Sequence, residues 1–168
     1  SAEHTGKYDF QSILTHEVGH AAGFLSLATQ TGTFQVQSGN ASAAYSTMLY
    51  TRYDSLLTNQ EGQSIVNKAG NGNTAFTLGE TLSLGDTGLT AYNPATWQQG
   101  SSMAHIDSAS DPDALMQYSI SPDTYHRTLT DGEMELMRSM GWKMVPEPGT
   151  STLSLLGLAV LALRRRRC

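Results

Sequence analysis

Cysteine is almost absent from this sequence, since the one cysteine among 168 residues is the last, Cys168. A disulfide framework and a cysteine-rich metal site are therefore excluded. Charged residues are also sparse, at 15% of the chain, and four of the ten basic residues form the run Arg164–Arg167. Residues 1–145 hold six Lys or Arg against fourteen Asp or Glu. This acidic balance argues against nucleic acid as a partner, because phosphates would meet no compensating charge.

The composition and length of the chain fit one domain that has both a hydrophobic core and a loop-rich stretch. Hydrophobic residues make up 39% of the chain, enough for a core, and 168 residues fit a single domain. Sixteen glycines, with frequent Asn, Ser and Thr, predict a loop-rich stretch over residues 27–100. Within it, apolar runs predict short strands, including a hairpin over 54–67 and a strand near 75–78.

A helix is predicted over residues 10–22, with Asp9 as its N-cap and Gly23 as its stop. On a helical wheel His16 and His20 point away from a broad apolar face, and the pattern is that of a buried helix with one polar stripe. The apolar face is made by Phe10, Leu14, Val18, Ala21 and Leu25.

A further helix is predicted after Thr130, because Thr130 and Glu133 have the spacing of a capping box. Gly141 is placed to end it. Three methionines recur along it at helical spacing and are interpreted as core residues, namely Met134, Met137 and Met140.

The segment His16-Glu17-Val18-Gly19-His20 carries the chemistry of the first helix. Histidines four positions apart project from one helical face, so both imidazoles can reach one metal ion at about 2.0–2.1 Å. The glutamate between them lies beside that ion and can take a proton from a water that the ion activates. Because bare His and Glu are costly to bury on so apolar a helix, the pattern favours a zinc-dependent hydrolase over a chance match.

Extended to Gly23, the motif reads HExxHxxG, and in this the sequence resembles the metzincin zinc peptidases. Their pattern places a third ligand at the position of Ser26, whose neutral hydroxyl is a poor zinc ligand. The order of His105 before Met116 is similar to the leishmanolysin-like branch. In that branch the third His follows a long insertion and comes shortly before a Met-containing turn.

This resemblance, over about residues 8–28 and 100–142, implies a role for each matching residue. The implied zinc ligands are His16, His20 and His105, the general base is Glu17, the motif glycine is Gly23 and the Met-turn residue is Met116. Tyr118, two positions after that methionine, matches a phenol that stabilises the oxyanion in astacin-like members. A half-buried structural tyrosine is the other interpretation of Tyr118.

Three alternatives stay open at these positions. His105 could be a loop histidine without a metal, although open catalytic zinc sites usually need three protein ligands. Asp107, Asp111 and Asp113 could bind calcium, but a solvated loop is the favoured interpretation. A gluzincin would take a ligand from a downstream glutamate, and neither Glu80 nor Glu133 lies in a convincing second helix for that purpose. His4 and His126 are expected to be ordinary surface residues.

The expected fold is α+β: a metzincin-like catalytic region over residues 1–144, with a loop-rich insertion. Only fifteen residues precede His16, so an N-terminal truncation that removes the upper β-sheet is expected. The expected function is a secreted or surface-attached zinc endopeptidase that hydrolyses extracellular protein with Glu17 as general base. The alternative is a non-catalytic surface module built on a degenerate or truncated peptidase fold.

The C-terminal segment 145–168 has a different composition from the rest of the chain. A Pro-Glu-Pro element at 146–148 precedes an apolar run at 153–163 and the four arginines. As a helix, residues 150–163 would span about 21 Å, which is short of a bilayer core of about 30 Å, so a marginal membrane anchor is predicted. The order of these elements resembles the PEP-CTERM sorting signal. That resemblance implies export, an exosortase-type partner and delivery to the envelope or exterior of a Gram-negative-type bacterium.

Overall fold

A computed structural model describes residues 5–38, 46–70 and 74–143 of the chain. In chain order, its elements are α1 (Phe10–Ala21), β1 (Val36–Ser38), β2 (Ser46–Met48), a short 3₁₀ helix (Asp54–Leu56), β3 (Leu57–Thr58), α2 (Ile65–Gly70), β4 (Ser83–Leu84) and α3 (Asp131–Ser139). The strands form two separate antiparallel pairs, β1 with β2 and β3 with β4. The described chain therefore mixes helix and strand, while a metzincin-like arrangement of these elements remains a prediction.

One cluster of buried apolar side chains holds the described elements together. Between β4 and α3 the chain runs through turns and single bridges, among them Ala91 with Ile106 and Ile106 with Gln117. At these bridges the N–H and C=O groups of the irregular backbone are hydrogen-bonded, so this segment can pass through the interior. The largest fully buried side chains are Phe24, Tyr53, Leu57, Ile65, Phe76, Leu82, Leu84, Met103, Ile106, Leu115, Met116 and Leu136.

The boundaries of α1 follow from its sequence. The Asp9 carboxylate accepts a hydrogen bond from Ser12 N at 2.9 Å and caps the first turn. The helix ends at Ala21, and Gly23 follows with a φ of +120°, a conformation that L side chains rarely adopt. The predicted N-cap and the predicted glycine stop are both confirmed.

The burial of α1 contradicts the prediction of a buried apolar face. Phe10, Leu14 and Val18 are 75%, 52% and 57% exposed, whereas the buried positions are Ser12, His16 and Gly19. Small side chains on that inner face allow other backbone segments to approach closely, so the polar stripe of the helix packs inward. The helical wheel correctly separated the apolar face of α1 from its histidine face. The prediction that the apolar face is the buried one was wrong.

The predicted hairpin over 54–67 is only partly formed. Thr58 makes a single antiparallel bridge with Ser64, but β3 pairs with β4, and residues 65–70 form α2. Residues 75–78 are not a strand, and Ala75 N instead donates to Gly32 O at 2.7 Å. Short apolar runs can be buried as strand, helix or loop, and periodicity alone does not separate these cases.

Helix α3 has the predicted capping box, and two of the three methionines predicted to be core residues pack against the core. Thr130 accepts a hydrogen bond from Glu133 N, and the Glu133 side chain accepts one from Thr130 N. Met137 and Met140 pack against the core, and Gly141 follows the helix with a φ of +104°. Among the residues that the structure describes, no helix combines the length and apolarity needed to cross a bilayer. The predicted anchor at 150–163 lies outside them.

Candidate metal centre

Two parts of the chain that are distant in sequence supply the candidate metal centre. Helix α1 carries His16 and His20 one turn apart, so their side chains emerge from the same side. His105 arrives from the irregular segment before Ile106, where Tyr92 N donates to His105 O at 2.8 Å. Ile106 itself bridges Ala91, so backbone pairing on this segment fixes where the third imidazole enters.

The three imidazoles form a compact triangle. Ring centroids are 4.8 Å apart for His16 and His20, 4.8 Å for His20 and His105, and 5.2 Å for His16 and His105. One nitrogen from each ring lies within 4.8 Å of the other two. His16 Nε2 and His105 Nε2 are 3.3 Å apart. The structure thus brings together the three histidines that the sequence singled out as ligands.

Each imidazole makes a hydrogen bond through its Nδ1 to a backbone carbonyl oxygen. The pairs are His16 with Leu115 at 2.9 Å, His20 with Phe24 at 2.6 Å and His105 with Ser101 at 2.8 Å. A carbonyl oxygen can only accept, so each Nδ1 carries the proton and each neutral ring presents an Nε2 lone pair. Histidines that bind metals in proteins usually have such an outer partner for the second nitrogen.

One nitrogen separation in this arrangement matches that expected around a tetrahedral metal ion. With Nδ1 protonated on both rings, the Nε2 lone pairs of His16 and His105 face one another across 3.3 Å. Two acceptors at that distance repel unless a proton or a metal ion lies between them. For ligands at about 2.0–2.1 Å and tetrahedral angles, the expected nitrogen separation is about 3.3–3.4 Å. Three imidazoles are a donor set that Zn²⁺ accepts, and the separation between the His16 and His105 nitrogens matches that of two zinc ligands.

Burial keeps the third ligand in its metal-binding form. Desolvation lowers the pKa of His105 to about 4 from 6.5, and the hydrogen bond to the Ser101 carbonyl opposes that shift only in part. The neighbouring His16 and His20 lower it further. The ring is therefore neutral at physiological pH, as a ligand must be.

Met116 lies directly beneath the helix that carries two of the histidines. Its side chain contacts Gly19 so closely that a Cβ at that position would collide with the Met116 sulfur. Met116 is fully buried, and its backbone oxygen accepts from Ile106 N at 2.8 Å. The predicted Met-turn residue thus packs with its sulfur against α1 at Gly19, the residue just before His20.

Glu17 and Tyr118 are both accessible to solvent. Glu17 follows His16 on α1, and within the described part of the chain no hydrogen bond or ion pair engages its carboxylate. Tyr118 is 38% exposed and stacks on Tyr92, with ring centroids 3.8 Å apart and planes within 5°. Burial raises the pKa of Tyr92. The oxyanion role of Tyr118 stays a prediction.

The other candidate ligands are engaged elsewhere. Ser26, at the position of the usual third ligand, donates to the buried Asp54 at 2.5 Å. Glu80 accepts from Thr77 N, and Glu133 accepts from backbone N–H groups near Met116. In the described ranges, a group of three metal-ligating side chains close enough to share an ion is formed by the histidines.

The acidic loop after His105 is used for local turns. Asp107 accepts from Ala109 N at 2.9 Å, and Asp111 accepts from Asp113 N at 3.1 Å. These bonds stabilise the loop and leave calcium binding there as a prediction. His126 is partly exposed, and His4 lies outside the described residues.

Sequence reasoning did not identify the groups that orient the ligands. Three backbone carbonyls hold the imidazoles, and they belong to Phe24, Ser101 and Leu115. Every residue has a carbonyl, so no residue type marks these positions. The weak signals that exist are Gly23, which turns the chain to bring Phe24 O back to His20, and the left-handed Met103 (φ 69°) two positions before His105.

Comparison with known proteins assigns the C-terminal segment. Residues 145–167 match the PEP-CTERM protein-sorting motif. This motif is a C-terminal signal for export to the cell envelope or surface of Gram-negative bacteria, so the predicted localisation is confirmed. It also implies recognition by an exosortase-type sorting enzyme. No curated protein and no solved structure matches the chain.

Proposed function

We propose that this chain carries the catalytic centre of a surface-sorted zinc endopeptidase. The observation that supports the proposal most directly is the convergence of His16, His20 and His105, with every Nδ1 held by a carbonyl. Glu17 stands next in sequence to one of these ligands, with its carboxylate exposed. Three neutral nitrogen ligands beside a free carboxylate are the donor set of hydrolytic zinc sites.

The donor set favours zinc over harder or softer ions. Imidazole nitrogens suit Zn²⁺, whereas Ca²⁺ and Mg²⁺ prefer oxygen and Cu⁺ prefers sulfur. Structural zinc sites generally close with four protein ligands, while catalytic ones keep one position for water or substrate. Within the described residues the cluster offers three such side chains. A catalytic rather than a structural ion is therefore proposed.

The chemistry assigned to the chain itself is proton transfer and orientation. When bound, zinc supplies a Lewis acid and an acidified water for attack on a peptide carbonyl. Glu17 accepts the proton released in that attack and returns it to the leaving amine. The carbonyls behind the three imidazoles prevent the rings from rotating. The proposal gives Tyr118 the role of donating a hydrogen bond to the carbonyl oxygen as negative charge develops there.

The substrate class follows from where the protein is delivered. The sorting motif at 145–167 carries the chain to the envelope or surface, so the proteins it meets there are extracellular. Peptide bonds are the proposed target because amides, as poor electrophiles, need both carbonyl polarisation and general-base assistance.

The Glu17→Gln variant tests catalysis without removing a ligand. We expect it to bind zinc as the wild type does and to lose about 10²–10⁴-fold in kcat for cleavage of an unfolded protein substrate. Glu135→Gln is the matched control, because Glu135 is an exposed glutamate on α3 that pairs with Arg138. A chelator should abolish the wild-type activity and added zinc should restore it. Equal, chelator-resistant cleavage by wild type and Glu17→Gln would refute the peptidase proposal.

A non-catalytic, surface-sorted binding module is the second candidate. It is favoured by the exposed apolar side chains of α1, since Phe10, Leu14 and Val18 form a surface suited to contact with another polypeptide. It is also favoured by the sheets of the described residues, which have two strands each. Zinc binding with no cleavage by the wild type, and unchanged binding by Glu17→Gln, would support this candidate.

A further inference from the structure

The carbonyl that orients His16 differs from the other two in its position along the chain. His20 and His105 are held by carbonyls only four residues away, so local backbone fixes those rings. The carbonyl of Leu115, which accepts from His16 Nδ1, is 99 residues away. The orientation of His16 therefore depends on whatever holds residues 115–116 against α1.

Glu133 holds that segment. Its Oε2 accepts from Leu115 N at 3.1 Å, and its Oε1 accepts from Met116 N at 2.7 Å. Oε2 also accepts from Thr130 N at 2.9 Å. The side chain is fully buried, and the ion pairs of the described residues involve other carboxylates. Its partners are thus backbone N–H groups, and hydrogen bonds from such groups to a carboxylate are short and strong.

The same segment also contacts the loop that carries the third histidine. Met116 O accepts from Ile106 N at 2.8 Å, and Ile106 bridges Gln117 in parallel. Residues 115–117 therefore lie between α1 and the His105 loop and are hydrogen-bonded to both. A change in their position would move two of the three ligands relative to one another.

We propose that Glu133 is a positioning residue of the metal centre. By binding two consecutive backbone N–H groups, it fixes the Leu115 carbonyl, which in turn sets the ring of His16 with Nε2 toward the ion. Of the hydrogen bonds that the Glu133 carboxylate accepts, the capping box of α3 explains only the one from Thr130 N. The two from Leu115 N and Met116 N have no part in capping the helix. The inference rests on the proposed function for its metal and extends that function to the residue behind the ligands.

Zinc affinity of the full chain tests this role. In Glu133→Gln an amide group replaces one acceptor oxygen and faces a backbone N–H, so the 115–116 segment should shift. We expect Zn²⁺, titrated against a chromophoric chelator, to bind about 10–100-fold more weakly. Thr130→Ala is the control, because it removes the capping hydroxyl but keeps the backbone N–H that donates to Glu133. The Thr130→Ala substitution weakens the helix cap. Its zinc affinity should stay within about twofold of the wild type, because the backbone carbonyls that bind the three imidazoles keep their positions.

A second measurement needs no metal. In the metal-free protein, Glu133→Gln should accelerate solvent exchange of the His16 Nδ1 proton, followed by NMR, by about tenfold or more, because its hydrogen bond to Leu115 O opens more often. The Nδ1 proton of His20 is the internal control, since Phe24 holds it and Glu133 does not contact Phe24. Its exchange should be unchanged.

The outcomes separate the two proposals. Wild-type zinc affinity together with unchanged His16 exchange in Glu133→Gln would overturn the positioning role, and so would equal zinc loss in Thr130→Ala. If the wild-type chain binds no zinc, the proposed function fails, and the exchange rates of the metal-free protein still decide whether Glu133 positions His16.

Discussion

Helices α1 and α3 differ in the apolar side chains that they bury, although both begin with a side-chain cap. Helix α3 turns Leu136 into the core and leaves Glu135 and Arg138 in solvent, as an amphipathic surface helix does. Helix α1 turns its histidine face inward and leaves Leu14 and Val18 about half exposed. In α1 the buried face is therefore the one that carries the candidate ligands, whereas in α3 the buried Leu136 joins the hydrophobic core.

The small residues of α1 make this inversion possible. Gly19 lets the sulfur of Met116 reach the helix backbone, and Ser12 is fully buried while bonded to Asp9. The imidazole face then lies against residues that hold it by hydrogen bonds rather than by apolar packing. In α1, therefore, apolar substitutions on the exposed face should matter little and substitutions of the buried polar residues should matter greatly, while in α3 truncation of the buried Leu136 should matter greatly.

The largest difference is expected between the two faces of α1. His16→Ala should weaken Zn²⁺ binding by more than about 100-fold, because loss of an outer partner alone costs about 10–100-fold. Leu14→Ala, on the exposed face two residues earlier, should bind zinc as the wild type does. Chelator competition on both variants measures the effect. Similar affinities for the two would mean that the histidine face of α1 is not the binding face.

The second prediction compares apolar truncations in the two helices. Leu136→Ala in α3 removes a fully buried side chain and should lower the free energy of unfolding by about 2–5 kcal/mol. Val18→Ala in α1, where the side chain is 57% exposed, should change it by no more than about 0.5 kcal/mol. Urea denaturation provides the measurement. A large loss in Val18→Ala would show that another surface covers α1 in solution.

Glycine-to-alanine substitutions compare how closely other residues approach the backbones of α1 and α3. Gly19→Ala places a Cβ against the Met116 sulfur, and we expect a loss of about 1–3 kcal/mol from overpacking. Gly132→Ala in α3 meets only the side-chain carbons of Leu89, at 3.1–3.4 Å, and the helix preference of alanine, worth about 1 kcal/mol, opposes that crowding. Its stability should lie within about 1 kcal/mol of the wild type. Chemical denaturation tests both, and equal losses would contradict the close approach of Met116 to α1.

The last prediction concerns the pH dependence of the stability of the metal-free protein. Burial lowers the pKa of His105 to about 4 from 6.5. Between those values the unfolded chain binds a proton that the folded chain does not, so stability should fall as pH decreases from about 6.5 to about 4. His105→Gln removes this contribution and should flatten the curve of unfolding free energy against pH. Parallel curves for the two proteins would exclude His105 as the source.

Much of the local structure was predictable because its causes are local. Asp9 and Gly23 bound α1, and the pair Thr130 and Glu133 starts α3, as capping chemistry requires. The runs at 65–66 and 75–78 were not assigned correctly, because β3 pairs with β4 rather than with residues 65–66 and Ala75 N donates to Gly32 O, and both partners are distant in sequence. A buried run of two to four residues carries no period that distinguishes strand from helix.

The candidate metal centre was predictable to a similar extent. The ligand pair of α1 follows from its spacing, and His105 was identified by resemblance to a known arrangement. The backbone carbonyls behind the rings were not predictable, because a carbonyl has no residue-type signature. Glu133 was recognised as a cap, but its bonds to residues 115 and 116 depend on how α3 docks.

The sequence by itself determined the helix caps, the position of two imidazoles on one helical face and the sorting signal at 145–167, because each depends on residues near one another in the chain. The tertiary structure alone decided which face of α1 is buried and that a histidine 89 positions from His16 completes the triangle. It also decided that a buried carboxylate on α3 fixes the backbone behind His16. These features arise from contacts between remote segments, whose geometry is set by the packing of the whole core.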